Sequence, residues 1–165
     1  MKHISIITGE INSGKTSFLE KQIFNRKDVG GILTPKINGK RFFKIIATQE
    51  IFEMETIALD SQCLQIGNYF FSKDGFEKAN KILIDSVHYL NLVIDEIGPL
   101  EINEKGFYNT LLFLLQSNFK HHLILVVRKK LIDTVLQKFS IADLSFEITD
   151  INKLPKDFTL IHNSK

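Results

Sequence analysis

The sequence predicts an α/β fold: a three-layer sandwich with a mostly parallel central sheet, helices on both faces and an antiparallel β insertion. Three observations carry this. Short apolar runs alternate with stretches of helical periodicity, a glycine-containing loop joins the first run to the first helix, and β-prone flanks around Asn38-Gly39 interrupt the alternation.

The elements follow in order. His3 to Thr8 is short, rich in Ile and bounded by Gly9, the profile of a parallel strand covered on both faces. Thr16 to Phe24 places Phe18, Leu19, Ile23 and Phe24 at helical spacing, and Gly30 to Thr34 reads as a second short strand. Between about 35 and 67 lie the Asn38-Gly39 turn signal and the apolar runs Phe42 to Ala47 and Glu55 to Leu59, which read as the insertion. Asp74 is placed as an N-cap, with Glu77 three residues on and Phe76, Ala79, Ile82, Leu83, Val87 and Leu90 forming one face of a long helix. Leu92 to Ile94 is a compact strand ending in Asp95-Glu96, and Phe107 to Leu115 a helix that is apolar almost all round. Leu123 to Val127 is a buried-type strand, Leu131 to Phe139 a helix and Ser145 to Thr149 a last strand, while the tail after Pro155 receives no element.

At 165 residues, with 44% hydrophobic and 24% charged residues, the chain is expected to form one soluble domain over 1–165. A formal charge of +2 with scattered Lys and Arg lacks the broad basic field of a nucleic-acid binder. The apolar run Ile4 to Ile7 is too short for a signal peptide or membrane span, so no membrane partner is expected and the cytoplasm is the expected location. Cys63, the single cysteine, reads as core in a reducing compartment, and most of the fourteen Phe residues, which fall in apolar helix or strand positions, read as core packing.

Gly9-Glu10-Ile11-Asn12-Ser13-Gly14-Lys15-Thr16 is a complete G-x-x-x-x-G-K-[ST] loop between strand and helix. Successive backbone N–H groups at a helix start, with the helix dipole behind them, make a site for a polyphosphate. Lys15 can reach the β- and γ-phosphates, the Thr16 hydroxyl can ligate Mg²⁺, and Ser17 can add a contact to the α-phosphate. Asp95, carried to the carboxyl end of a buried strand, is the second Mg²⁺-side residue, and Glu96 beside it is suited to orient and deprotonate an attacking water. Arg128 directly follows a strand and so reaches the same sheet edge, which makes it the candidate for stabilising charge on a transferring phosphoryl group; Arg41 is a weaker one. Lys129 and Lys130 begin the next helix, and His121 and His122, without ligand partners at recognisable spacing, read as loop residues.

The loop, the Gly31-Ile32-Leu33-Thr34 strand end, the Gly67-Asn68-Tyr69 to Phe76-Glu77 stretch and above all Val93-Ile94-Asp95-Glu96-Ile97-Gly98-Pro99-Leu100-Glu101 resemble one family. It is the small P-loop nucleoside-triphosphatase family that includes the thermophilic nucleotide phosphatases and the cancer-related nucleoside-triphosphatase. The resemblance spans nearly the whole chain. It implies Mg²⁺-dependent hydrolysis of several nucleoside triphosphates, with Lys15 and Thr16 on phosphate and metal, Asp95 on the metal side and Glu96 as catalytic carboxylate. Members commonly have Pro-Pro-Gly where this chain has Glu10-Ile11-Asn12, and a Lys where it has Pro99; the Gly-Phe-Asp pattern of the insertion is not found around Phe43, Lys44 and Ile45. Asn12 is the non-glycine type best able to hold a left-handed turn, whereas Glu10 brings negative charge near the phosphates. Two other readings use the same loop: a small-molecule or nucleotide kinase, which needs an Arg-rich lid that 41–67, with a single Arg, does not offer, and a nucleotide-dependent switch. The expected substrate is ATP, GTP or another triphosphate, and a monomer is favoured.

Overall fold

The computed structural model describes residues 3–57, 63–118, 120–154 and 158–161. Its elements are β1 (His3–Thr8), α1 (Lys15–Ile23), β2 (Val29–Leu33), β3 (Lys36–Ile37), β4 (Lys40–Ile45), β5 (Ile51–Glu53), β6 (Glu55–Thr56), β7 (Cys63–Ile66), β8 (Tyr69–Ser72), α2 (Lys73–Asp85), β9 (Asn91–Ile97), α3 (Pro99–Ile102), α4 (Tyr108–Gln116), β10 (His122–Val127), α5 (Ile132–Lys138) and β11 (Phe146–Asp150). Single 3₁₀ turns at Lys129–Leu131, Ile141–Asp143 and Ile151–Lys153 complete the described chain.

The main sheet runs β11-β1-β10-β9-β2-β4-β3, with β5 also paired to β4. Its five strands from β11 to β2 are parallel, and β4 joins β2 antiparallel. Side chains alternate across these strands, which splits the core between two faces. Ile4 and Ile6 of β1, Leu92 and Ile94 of β9, and Leu123 and Leu125 of β10 pack with α2, α4 and α5. Ile7, Val93, Ile124 and Val126 point the other way and meet Leu19 and Ile23 of α1 together with Leu160 and Ile161. Near-continuous apolar strands are thus the signature of a sheet covered twice, and the layers are those expected. Among the described residues no helix is long and apolar enough to cross a membrane.

The insertion differs from expectation. Asn38 (φ 49°) and Gly39 (φ 84°) form the expected hairpin turn between β3 and β4. Yet β4 extends the main sheet rather than standing apart, because Ile32 and Leu33 leave an edge to which Ile45 and Lys44 pair. A separate three-stranded sheet, β6-β8-β7, then carries β structure to Ser72, beyond residue 67. The predicted run to Leu59 lies partly outside the described residues; β6 ends at Thr56.

Local chemistry also differs from expectation. The cap of α2 is Ser72, not Asp74: its hydroxyl accepts the Gly75 N–H at 3.0 Å, leaving Asp74 in the first turn, where its charge favours the helix dipole. That helix stops at Asp85, so Val87 and Leu90 follow it in turns. Cys63 is half-buried on β7 rather than in the core. Of the phenylalanines, Phe43, Phe76 and Phe107 do form an interlocked aromatic core, with Phe43 and Phe76 edge-to-face at 4.9 Å, but Phe24 is 76% exposed.

Candidate active site

Strand β1 delivers the 9–16 loop to the carboxyl edge of the sheet, where Gly14 takes a left-handed φ of 86° immediately before α1. Asn12 also adopts a left-handed φ of 59°, so it supplies the turn that glycine would otherwise make. Lys15 is buried and folds back into its own loop, donating from Nζ to the carbonyls of Gly9 (3.3 Å) and Glu10 (3.0 Å). Glu10 does not face the loop unopposed: Lys129 lies 3.1 Å from its carboxylate and also pairs with Asp150 at 3.3 Å. Ile11, Asn12 and Ser17 are exposed, and Ser13 and Thr16 half-buried.

Asp95 is fully buried on β9, and its Oδ2 accepts from the Thr16 hydroxyl at 2.7 Å and from the Thr34 N–H at 2.9 Å. Burial pushes its pKa up to about 6 despite these donors, with the neighbouring Glu96 charge adding to the rise. The other oxygen, Oδ1, is buried with no hydrogen-bond partner. An orphaned anionic oxygen beside the Thr16 hydroxyl is the donor set a hard cation takes, so the residues fit Mg²⁺.

Glu96 and Arg128 meet at the same edge, the guanidinium Nε bonding carboxylate Oε1. Strand order explains the meeting, for β10 lies between β1 and β9 and ends directly before Arg128. Loop, Asp95, Glu96 and Arg128 thus share one edge. Arg41 is engaged elsewhere: its backbone N–H donates to Glu55 (3.2 Å) and its guanidinium lies 3.8 Å from the same carboxylate.

One acid whose role the sequence left open has a structural post. Glu101 on α3 is 1% exposed and accepts the N–H groups of Gly98 (2.8 Å) and Phe107 (2.9 Å), which ties the turn after Glu96 to the start of α4. The signal for it in the sequence is Gly98-Pro99 at a helix start with Glu at the third helical position, which supplies the back-reaching half of a capping box. Burial pushes its pKa up from 4.5 to about 7. A carboxyl raised by folding adds stability below its unfolded pKa, and that contribution is lost as pH rises from 4.5 to about 7. Glu101→Gln should flatten this part of the stability curve, and should cost about 1–3 kcal/mol because its amide nitrogen must face a buried N–H. Urea unfolding across that pH range checks both, and parallel curves for the two proteins would reject the pH assignment.

His122 is not a loop residue but the first residue of β10, half-buried, and His121 is buried. What brings partners to His122 is the parallel register of distant strands, a relation that linear spacing does not encode.

A strand-loop-helix with left-handed glycine at the helix start, and an acidic strand end facing the loop's threonine, define a P-loop nucleotide-binding protein. The chain belongs to the family described as NTPase, whose family model matches residues 4–159. In fold it is similar to THEP1 from the hyperthermophile Aquifex aeolicus, with TM-score 0.74 and 17% identity over 90% of this chain and 89% of that one. It is likewise similar to a human cancer-related nucleoside triphosphatase, with TM-score 0.69 and 19% identity over 93% and 90% of the two chains. No curated protein matches in sequence.

Proposed function

We propose that this chain hydrolyses nucleoside 5'-triphosphates such as ATP and GTP to the diphosphate and phosphate, in a Mg²⁺-dependent reaction, as a monomer in the cytoplasm acting on free nucleotides. The observation that carries the proposal is the Glu96–Arg128 pair at the edge shared with Lys15, Thr16 and Asp95. Thr16 and Asp95 would hold Mg²⁺, which when bound neutralises charge on the β- and γ-phosphate oxygens.

This chain's residues do the rest. The left-handed turns at Asn12 and Gly14 shape the loop around the phosphates, and Lys15 exchanges the Gly9 and Glu10 carbonyls for phosphate oxygens, a stronger charge-assisted contact. Arg128, drawn to the γ-phosphate, releases the Glu96 carboxylate to accept a proton from water. The water oxygen then bonds to γ-phosphorus while the bond to the bridging oxygen breaks, and the diphosphate leaves. Without a γ-phosphate, Arg128 keeps Glu96 neutralised, which links the base to substrate arrival.

Phosphate release measured with the four common triphosphates, with and without Mg²⁺, tests this reading. Lys15→Ala should weaken triphosphate binding and lower release by at least about 100-fold, since it removes the loop's only side-chain cation. Binding and release unchanged by that substitution would remove Lys15 from the site. A phosphorylated metabolite in place of free phosphate would instead identify a kinase.

A further inference from the structure

At the opposite, amino-terminal edge of the sheet lies a second polar cluster. His3 and His122 are register partners on β1 and β10, Ser5 and Glu147 on β1 and β11, and His122 and Asn91 on β10 and β9. The ligand atoms of His3, His122 and Glu147 all lie within 4.8 Å of one another. They line a cavity of about 400 Å³ together with Asn91 and residues 158–161.

The hydrogen bonds here do not close. Asn91 Nδ2 donates to Asp28 Oδ2 at 3.0 Å, and Asp28 is itself held by Arg26 at 2.7 Å. Asn91 therefore turns Oδ1 toward His122 Nδ1 at 3.1 Å, so the proton of a neutral His122 sits on Nδ1 and Nε2 presents a lone pair. Ser5 Oγ has one proton and two acceptors, His122 Nε2 and Glu147 Oε1, each at 2.6 Å. Whichever acceptor it serves, the other faces an oxygen lone pair.

We infer that His3, His122 and Glu147 form a binding site for a divalent transition-metal ion of the zinc class, distinct from the phosphate site. Two imidazoles and a carboxylate are a zinc donor set, whereas Mg²⁺ prefers oxygen. The Asn91 carbonyl oxygen fixes the tautomer and ring orientation of His122, as an outer partner does in built metal sites. Ligands around one zinc ion stand about 3.3 Å apart, so the cluster must tighten by about 1.5 Å at its widest. His3 and Glu147, about half exposed, have the freedom to do so. The ion would clasp β1, β10 and β11 at the end of the sheet away from the nucleotide.

Titration of tag-free protein with Co²⁺, followed by visible absorption, tests this. One equivalent is expected to saturate the bands, Zn²⁺ to displace it, and Zn²⁺ to raise the unfolding temperature. His3→Ala and Glu147→Gln should each weaken Co²⁺ binding at least tenfold while nucleotide binding, at the far edge, stays as in the unsubstituted protein; both substitutions fall on half-exposed side chains, which keeps folding intact. Absence of a stoichiometric Co²⁺ band, or a band that persists unchanged in both variants, overturns the site. Absence of phosphate release from unsubstituted protein that binds Co²⁺ stoichiometrically would overturn the nucleotide reading and leave this site standing.

Discussion

Glu96→Gln is expected to lower phosphate release by about 10²–10⁴-fold while leaving nucleotide affinity close to that of the unsubstituted protein. The amide keeps the shape of the carboxylate but accepts no proton from water. It also loses the charge that holds Arg128, so the guanidinium becomes free for the γ-phosphate, and binding should hold or tighten. Single-turnover phosphate release alongside titration with a fluorescent triphosphate separates the two effects. Release at the unsubstituted rate would sink the assignment of Glu96, and a parallel loss of binding would make its role structural.

Gly31→Ala should be the most damaging substitution in the sheet, costing about 3–5 kcal/mol, a large part of the net stability of an ordinary domain. At Gly31 φ is 109°, and a Cβ would stand 2.1 Å from the Val93 carbonyl oxygen and 2.8 Å from its nitrogen. Both obstacles are backbone of the neighbouring parallel strand, which cannot step aside without breaking the β2–β9 ladder that carries Asp95. Gly39→Ala is the control, since φ there is also positive at 84° but nothing lies within 4 Å, and it should cost only about 1 kcal/mol of backbone strain. Urea midpoints for the pair decide the matter; equal losses would show that conformation, not the close approach, sets the cost.

Much of this molecule is legible locally. The alternation of β1, β9 and β10 with α1, α4 and α5 follows from runs such as Leu92 to Ile94 and Leu123 to Val127, because a strand buried on both faces must be apolar at successive positions. Where the structure departs from the sequence pattern, competing local chemistry is the cause. Ser72 and Asp74 are both good capping types, and only the backbone path into α2 selects the serine. Val87 and Leu90 keep helical spacing in the sequence, yet the chain turns at Ser86 to enter β9.

The phosphate loop and its neighbouring helix were determined by the sequence alone, since a backbone cradle needs only the right residues in consecutive order. The acidic pair at the end of β9 was likewise readable from one strand. Tertiary structure alone decided what faces what. Because β10 inserts between β1 and β9, Arg128 reaches Glu96, and because β1, β10 and β11 run parallel in register, His3 meets His122 and Glu147, each more than a hundred residues further along the chain. Strand order and register arise from packing the two faces of the whole sheet at once, and no spacing along the chain carries that information.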